Sequence, residues 1–290
     1  MTAVLYDVPG PSAKRRYLTG SIVAGVVLLA VLAVVIARLA AQDQFTAEKW
    51  SALVNPTDSD FVQVWALLAN GLQNTLVAAA LAMVLSLVIG TVLAVIRLTS
   101  APWYRWAVVG VVELFRGLPV VVLIFFASRV LPEIGVDLPI MWFLVIGLTA
   151  YNSVIIAEIV RAGVNSLPAG QREAALAVGM TRGQTLRLIL LPQAFRVMLP
   201  TLISQLVVIL KDTALGFIIS YPELLQTGQI IIQNLDNPIP MYFTIALIFI
   251  AINYALSKLA EYMERRLSRA RRTPAGPPGK TLAGAEMTGD

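Results

Sequence analysis

The 290-residue chain contains no cysteine and no histidine, and only 13% of its residues are charged. Without cysteine there is no disulfide, no thiol nucleophile and no Cys-ligated zinc or iron–sulfur cluster. Without histidine there is no imidazole base, no imidazole metal ligand and no His proton relay. No nucleophile motif and no carboxylate pair placed for acid–base work takes their place, so the sequence does not read as an enzyme. The scarcity of charge has a counterpart. Hydrophobic residues make up 58% of the chain and the mean hydropathy is +0.77, whereas soluble domains are about 45–50% apolar and about a quarter charged. Too few polar side chains remain to cover a soluble fold of this size, so the solvent for much of the chain is a bilayer.

A helix that crosses ~30 Å of hydrocarbon needs about 20 apolar residues. Six stretches qualify, at approximately 20–41, 67–96, 107–130, 140–160, 197–220 and 241–260. The first follows Lys14-Arg15-Arg16 but is too long for a signal-peptide core and ends in no small-residue cleavage site, so it reads as a retained span. With the N-terminus inside, segments 1–19, 97–106, 161–196 and 258–290 hold 17 of the 22 basic residues. The outer segments 42–66, 131–139 and 221–240 hold only Lys49, against eight carboxylates. The charge of +5 thus divides into +11 inside, −7 outside and +1 within the spans. That asymmetry predicts a multi-pass protein of the cytoplasmic membrane with six helices and both termini in the cytoplasm. Nucleic acid is not implied, because Arg265, Arg266, Arg269, Arg271 and Arg272 lie beside the last span with no aromatic platform. In the tail, Gly276-Pro-Pro-Gly279-Lys280-Thr281 lacks the first glycine of a phosphate-binding loop, since position 274 is Pro.

The inner loop 161–196 is longer than a compact bundle requires, and it is patterned. Ser166-Leu167-Pro168 predicts a helix with proline at its first position, running from Ala169 to Val178 and stopped by Gly179 in a left-handed conformation. Thr181 and Gln184 have capping-box spacing, which predicts a second short helix running to Pro192.

In the same loop Glu173-Ala174-Ala175, Gly179 and Ile189-Leu190-Leu191-Pro192 resemble the EAA loop of ABC-importer membrane subunits at every fixed position. Three further stretches are similar to those of polar amino-acid permeases. They are Glu113-Leu-Phe-Arg116-Gly117-Leu-Pro119, Ala157-Glu158-Ile159-Val-Arg161-Ala162-Gly163 and Leu210-Lys211-Asp212-Thr213-Ala214-Leu215. Ala162 and Ala214 depart from the family's usual Gly and Ser. Together these matches span about residues 65–260. The extra first helix and the opening Val4 to Pro11 look most like the longer permease subunit of a glutamate-uptake importer.

The resemblance implies an all-α integral membrane protein with the type I ABC-importer permease fold, six transmembrane helices and a cytoplasmic coupling-helix loop. It divides the chain into a cytoplasmic tail (1–19), an extra transmembrane helix (20–41), a five-helix permease core (65–260) carrying the EAA loop (161–196), and a basic, largely disordered tail (261–290). It implies passage of a polar amino acid, L-glutamate above all, delivered by an extracytoplasmic binding protein. It also implies a second permease subunit, in a homodimer or heterodimer, and separate ATPase subunits that carry ATP and magnesium, while this chain binds no cofactor and no metal. Coupling falls to Glu173, Ala174, Ala175, Gly179, Ile189, Leu191 and Pro192. An ion-coupled secondary amino-acid transporter is the alternative, but it leaves the patterned loop unexplained.

Charges within spans are costly and face cavities or one another. Arg38 and Arg129 lie near span ends, where a long side chain snorkels to the interface. Glu113 and Arg116 have the spacing of a helical ion pair and are read either as a polar patch on the substrate pathway or as a self-neutralised pair. Lys211 and Asp212, with Thr213 beside them, point about 100° apart on a helix, so they cannot fully satisfy each other. They complement the two charges of an amino acid, or else form ion pairs to other helices. Glu158, next to Arg161, is a pathway candidate or an interfacial group.

Overall fold

The computed structural model describes residues 10–99 and 102–271. The segments 1–9 and 272–290, with the glycine-rich Gly276–Thr281 and most of the basic tail, lie outside the described residues. Among those described there is no strand; the chain is a series of helices. They are α1 (Pro11–Ala41), α2 (Ala47–Val54), α3 (Phe61–Thr99), α4 (Pro102–Gly117), α5 (Val120–Glu133), α6 (Ile140–Asn165), α7 (Ala169–Ala177), α8 (Arg182–Gln184), α9 (Leu191–Asp212), α10 (Leu224–Leu235) and α11 (Pro238–Arg271). A π segment, Thr185–Leu190, joins α8 to α9, and a 3₁₀ segment, Thr213–Ile219, follows α9.

Five helices are long and apolar enough to cross a membrane by themselves: α1, α3, α6, the rod from Arg182 to Ile219, and α11. The expected third span, 107–130, is not one helix. It is α4 and α5, bent by 101° between Gly117 and Val120. Counted as one broken span, the pair gives six. The break follows from Pro119, which donates no N–H and drives the preceding residue from helical geometry. Pro119 sits outside α5 as its extended N-cap, at φ −61° and ψ 135°.

The chain clusters into two units. One consists of residues 1–69 and 227–246, the other of 70–226 and 247–290. In the first, α1 has no buried residue; its apolar surface is suited to lipid on every side. The short α2, unforeseen in the sequence, is tied to the α10–α11 turn. Lys49 donates to the Asp236 carboxylate at 2.9 Å and to its backbone carbonyl at 2.8 Å, and Trp50 meets Phe243 edge-on.

In the second unit α6 is the centre. It packs against α4, α5, α9 and the 3₁₀ segment, and 61% of its most apolar window is buried against protein. Ile124, Leu144, Val145, Leu148, Ile209 and Leu210 are fully enclosed with the small Ala78, Ala79 and Ala82 of α3. Small residues let membrane helices approach closely where no hydrophobic effect drives them together. The tightest such approach to another helix's backbone is at Gly147, where a Cβ would lie 2.5 Å from the Ile124 Cα. The α6–α9 seam also holds a buried amide pair, with the Gln205 Nε2 donating to the side-chain Oδ1 of Asn152 at 2.8 Å.

Candidate functional site

The patterned loop folds around two local signals. α7 ends in a Schellman motif. Gly179, at φ +85°, donates to the Leu176 carbonyl, and Met180 donates to that of Ala175. Two residues on, Thr181 and Gln184 form the reciprocal capping box, at 2.9 and 3.3 Å. Pro168 is the N-cap of α7 rather than its first helical residue, and Val178 is its C-cap; both are one-residue boundary differences.

A larger correction concerns the second short helix, which does not stop at Pro192. α8 runs through the π segment into α9, one continuous rod from Arg182 to Ile219. Proline at the start of α9 cannot supply an N–H to the preceding turn, and the widened turn accommodates it. Leu191 donates to Leu186, five residues back, and the Gln193 side chain covers the Ile189 carbonyl at 2.9 Å. The same amide reaches Gln171 of α7 at 3.3 Å. α7 packs on the π segment, so it is attached to the start of the fifth span by that packing, by the turn that follows it and by a side-chain bridge.

The seven residues assigned to coupling divide by exposure. Glu173, Ala174, Gly179 and Pro192 are exposed, while Ala175 is buried beneath α7. Ile189 and Leu191 pack on the cluster of Val164, Leu186, Leu190 and Ala194. Beside the exposed Glu173 stand Leu176 and Val178, the latter 78% exposed. α7 therefore presents a carboxylate flanked by small and apolar groups, held on a rigid base.

The in-span charges occupy three separate places. Glu113 and Arg116 pair at 3.2 Å on the last turn of α4, directly before the bend. Glu158 of α6 lies between Arg97 of α3 and Arg161, the second at 2.8 Å. Lys211 and Asp212 end α9 at its change to 3₁₀ geometry rather than lying mid-helix. Neither has an ion-pair partner among the described residues. The buried Thr213 hydroxyl donates to the Leu210 carbonyl at 2.6 Å. No hydrogen bond or ion pair joins the three places among the described residues. Arg129 stacks on the Phe125 ring.

One polar centre was not legible beforehand. The Glu223 side chain is fully buried, and its two carboxylate oxygens accept from the backbone N–H groups of Leu225 and Gln226, each at 2.7 Å. Burial pushes its carboxyl up to about 7, although the two N–H groups pull the other way. Beside it the Thr75 hydroxyl accepts from the Leu224 N–H and donates to the Gly71 carbonyl, and Tyr221 donates to the Asn74 carbonyl. In the sequence Glu223 was one of eight outer carboxylates. A glutamate cap lies outside the usual Ser/Thr/Asp/Asn signal, and Pro222 before it was the only available hint.

Comparison with known proteins follows the same fold. The family of binding-protein-dependent transport system inner membrane components matches residues 82–269. The glutamate transport system permease protein GluD of Corynebacterium glutamicum is 40% identical over 241 residues, 80% of this chain and 85% of that protein. The probable glutamine ABC transporter permease protein GlnP of Bacillus subtilis is 38% identical over 69% of this chain and 94% of its own length. Among solved structures, an amino acid ABC transporter crystallised with histidines superposes with a TM-score of 0.65 at 30% identity, over 71% of this chain and 96% of that one.

Proposed function

The chain belongs to the inner-membrane components of binding-protein-dependent transport systems, as a polar amino-acid permease of the ABC-importer class, and we propose that the amino acid it passes is L-glutamate. The substrate reading is supported by the likeness to a glutamate transport permease over 80% of the chain. Residues 65–260 act as the permease core, with 20–41 as an additional N-terminal span. Both termini face the cytoplasm, the orientation that the basic loops favour.

The observation that carries the mechanism is the rigid attachment of α7 to the fifth span. In our reading α7 seats on a separate ATPase subunit, with Glu173 toward basic groups there and Ala174 allowing close approach. ATP-driven closure of the ATPases displaces α7. The Schellman turn at Gly179, the Thr181–Gln184 box and the Gln171–Gln193 bridge tie α7 to the start of the rod. The displacement therefore passes into the Arg182–Ile219 rod.

That rod carries Lys211, Asp212 and Thr213 at its far end, where the helix changes geometry. A Lys and an Asp without ion-pair partners complement the carboxylate and ammonium of an amino acid, and a broken helix end offers backbone polar groups as well. Glu113 and Arg116, at the α4–α5 break, supply a second polar place on the path. Glu158, clasped by two arginines, fixes α3 to α6 along it. Substrate arrives from an extracytoplasmic binding protein at the outer face, and a second permease subunit completes the passage.

The test is reconstitution in liposomes with the ATPase, binding protein and partner permease. Labelled glutamate uptake is expected only with ATP, and excess unlabelled glutamate abolishes it. Uptake indifferent to excess glutamate overturns the substrate assignment. Transport by this chain alone, driven by an ion gradient, overturns the importer mechanism in favour of secondary transport.

A further inference from the structure

We propose that the cavity enclosed by α7, α8 and the ends of α3 and α6 is a binding site for a phosphate-bearing anion. The cavity measures about 340 Å³. Two guanidinium groups line it, Arg172 of α7 and Arg182 of α8, and no carboxylate does. Neither arginine has an ion-pair partner among the described residues. Two positive charges facing one concavity, without a counter-charge, make a site that an anion stabilises. The planar guanidinium fork suits phosphate oxygens, which it binds through paired N–H groups.

The remaining lining narrows the ligand. Asn165 adds an amide. The hydroxyls of Thr99 and Thr185, also in the lining, are spent on the helix carbonyls of Val95 and Thr181. Their oxygens retain acceptor capacity only, which repels a bare oxyanion and suits a donor hydroxyl. The pattern therefore favours a phosphate ester that also carries hydroxyl groups over a simple inorganic ion. The apolar part of the lining, Leu98 and Leu176 among others, matches the hydrocarbon side of such an ester. Leu98 and Thr99 close the last turn of α3, a helix long and apolar enough to cross a membrane, and basic pockets at the ends of such helices recognise acidic lipid headgroups. The two sources of this chemistry are an acidic phospholipid headgroup and a soluble phosphate. Either ligand, bridging Arg172 and the end of α3, ties α7 to a second span in addition to its own.

The complete transporter in nanodiscs of phosphatidylcholine, with and without phosphatidylglycerol, tests the site. Native mass spectrometry counts the phosphatidylglycerol retained on release from the disc. Calorimetry with glycerol 3-phosphate, a phosphate ester that carries hydroxyl groups, in the phosphatidylcholine discs tests the soluble source. Arg172→Gln with Arg182→Gln is expected to weaken binding at least about tenfold through loss of charge-assisted hydrogen bonds. Arg187→Gln, in the same loop but outside the cavity, leaves it unchanged. Both cavity arginines are exposed, and an unaltered melting temperature of the double variant confirms that folding is not the cause. Lipid retention that depends on the two arginines assigns a headgroup site, and arginine-dependent binding of glycerol 3-phosphate without lipid retention assigns a soluble one. Binding in neither arm, or binding equal in the double variant and wild type, overturns the proposal.

Discussion

Replacing Gly179 separates backbone geometry from steric contact at the tip of α7. Its φ is +85°, yet a Cβ built there meets nothing within 4 Å. An added Cβ therefore costs backbone strain and no steric contact. For alanine a left-handed conformation costs about 1–2 kcal/mol. Asparagine tolerates the region and costs roughly half of that, while a β-branched residue costs more, about 2–3 kcal/mol. The strain falls on a motif of two hydrogen bonds, Gly179 to Leu176 and Met180 to Ala175. At about 1.4 kcal/mol per factor of ten, alanine reduces the population of the native tip about tenfold relative to frayed alternatives, where these compete. ATP-driven uptake in proteoliposomes, with ATPase content matched between samples, should therefore fall in the order Gly, Asn, Ala, Val. The melting temperature in detergent should change little, because α7 contributes only Ala175 to the buried interior. Uptake of the valine variant equal to wild type refutes the claim that the turn transmits force. Equal losses for asparagine and valine refute the claim that backbone strain is the cause.

Two more outcomes follow from the polar centres. Glu158→Gln leaves Arg97, only 15% exposed, facing a neutral amide; partial solvent screening holds the cost to about 1–3 kcal/mol. Its detergent melting temperature should drop more than that of Arg161→Gln, whose side chain is 41% exposed, and equal drops contradict the α3–α6 clasp. For Glu223 the folded-state carboxyl is raised from 4.5 to about 7. The native state therefore holds a proton that the unfolded chain has released, and this contribution to stability is lost as pH rises through that window. Glu223→Gln should flatten the decline in melting temperature between those two pH values, and an unchanged slope removes Glu223 as its source.

What was legible in the sequence was what depends on near neighbours. The apolar runs show as α1, α3, α6 and α11, because the bilayer imposes one length on any segment that crosses it. Gly179 and the Thr181–Gln184 spacing specify their turns within five residues, and both appear as read. The helix pair Glu113–Arg116 likewise needs only one turn. The hydrophobic run 107–130 gave no sign of how sharply it would bend, although Gly117 and Pro119 marked where.

The tertiary structure decided what depends on residues far apart in the chain. Glu158 reads as an interfacial or pathway group until Arg97, 61 positions earlier, is placed against it. Pro192 reads as a helix end until the packing of Leu186 and Leu190 holds the helix together through a π turn. Glu223 reads as a surface carboxylate until its flanking residues Tyr221 and Leu224 bond to Asn74 and Thr75 of α3 and it is buried there. The cavity of Arg172 and Arg182 likewise exists only because α7 is folded against the ends of α3 and α6. The sequence by itself determined a membrane protein, its spans and its patterned loop, because bilayer thickness, capping and charge placement act locally. Which polar groups meet, and therefore where chemistry concentrates, was decided by helix packing, since the electrostatic partner of a buried charge is set by distance in space and not along the chain.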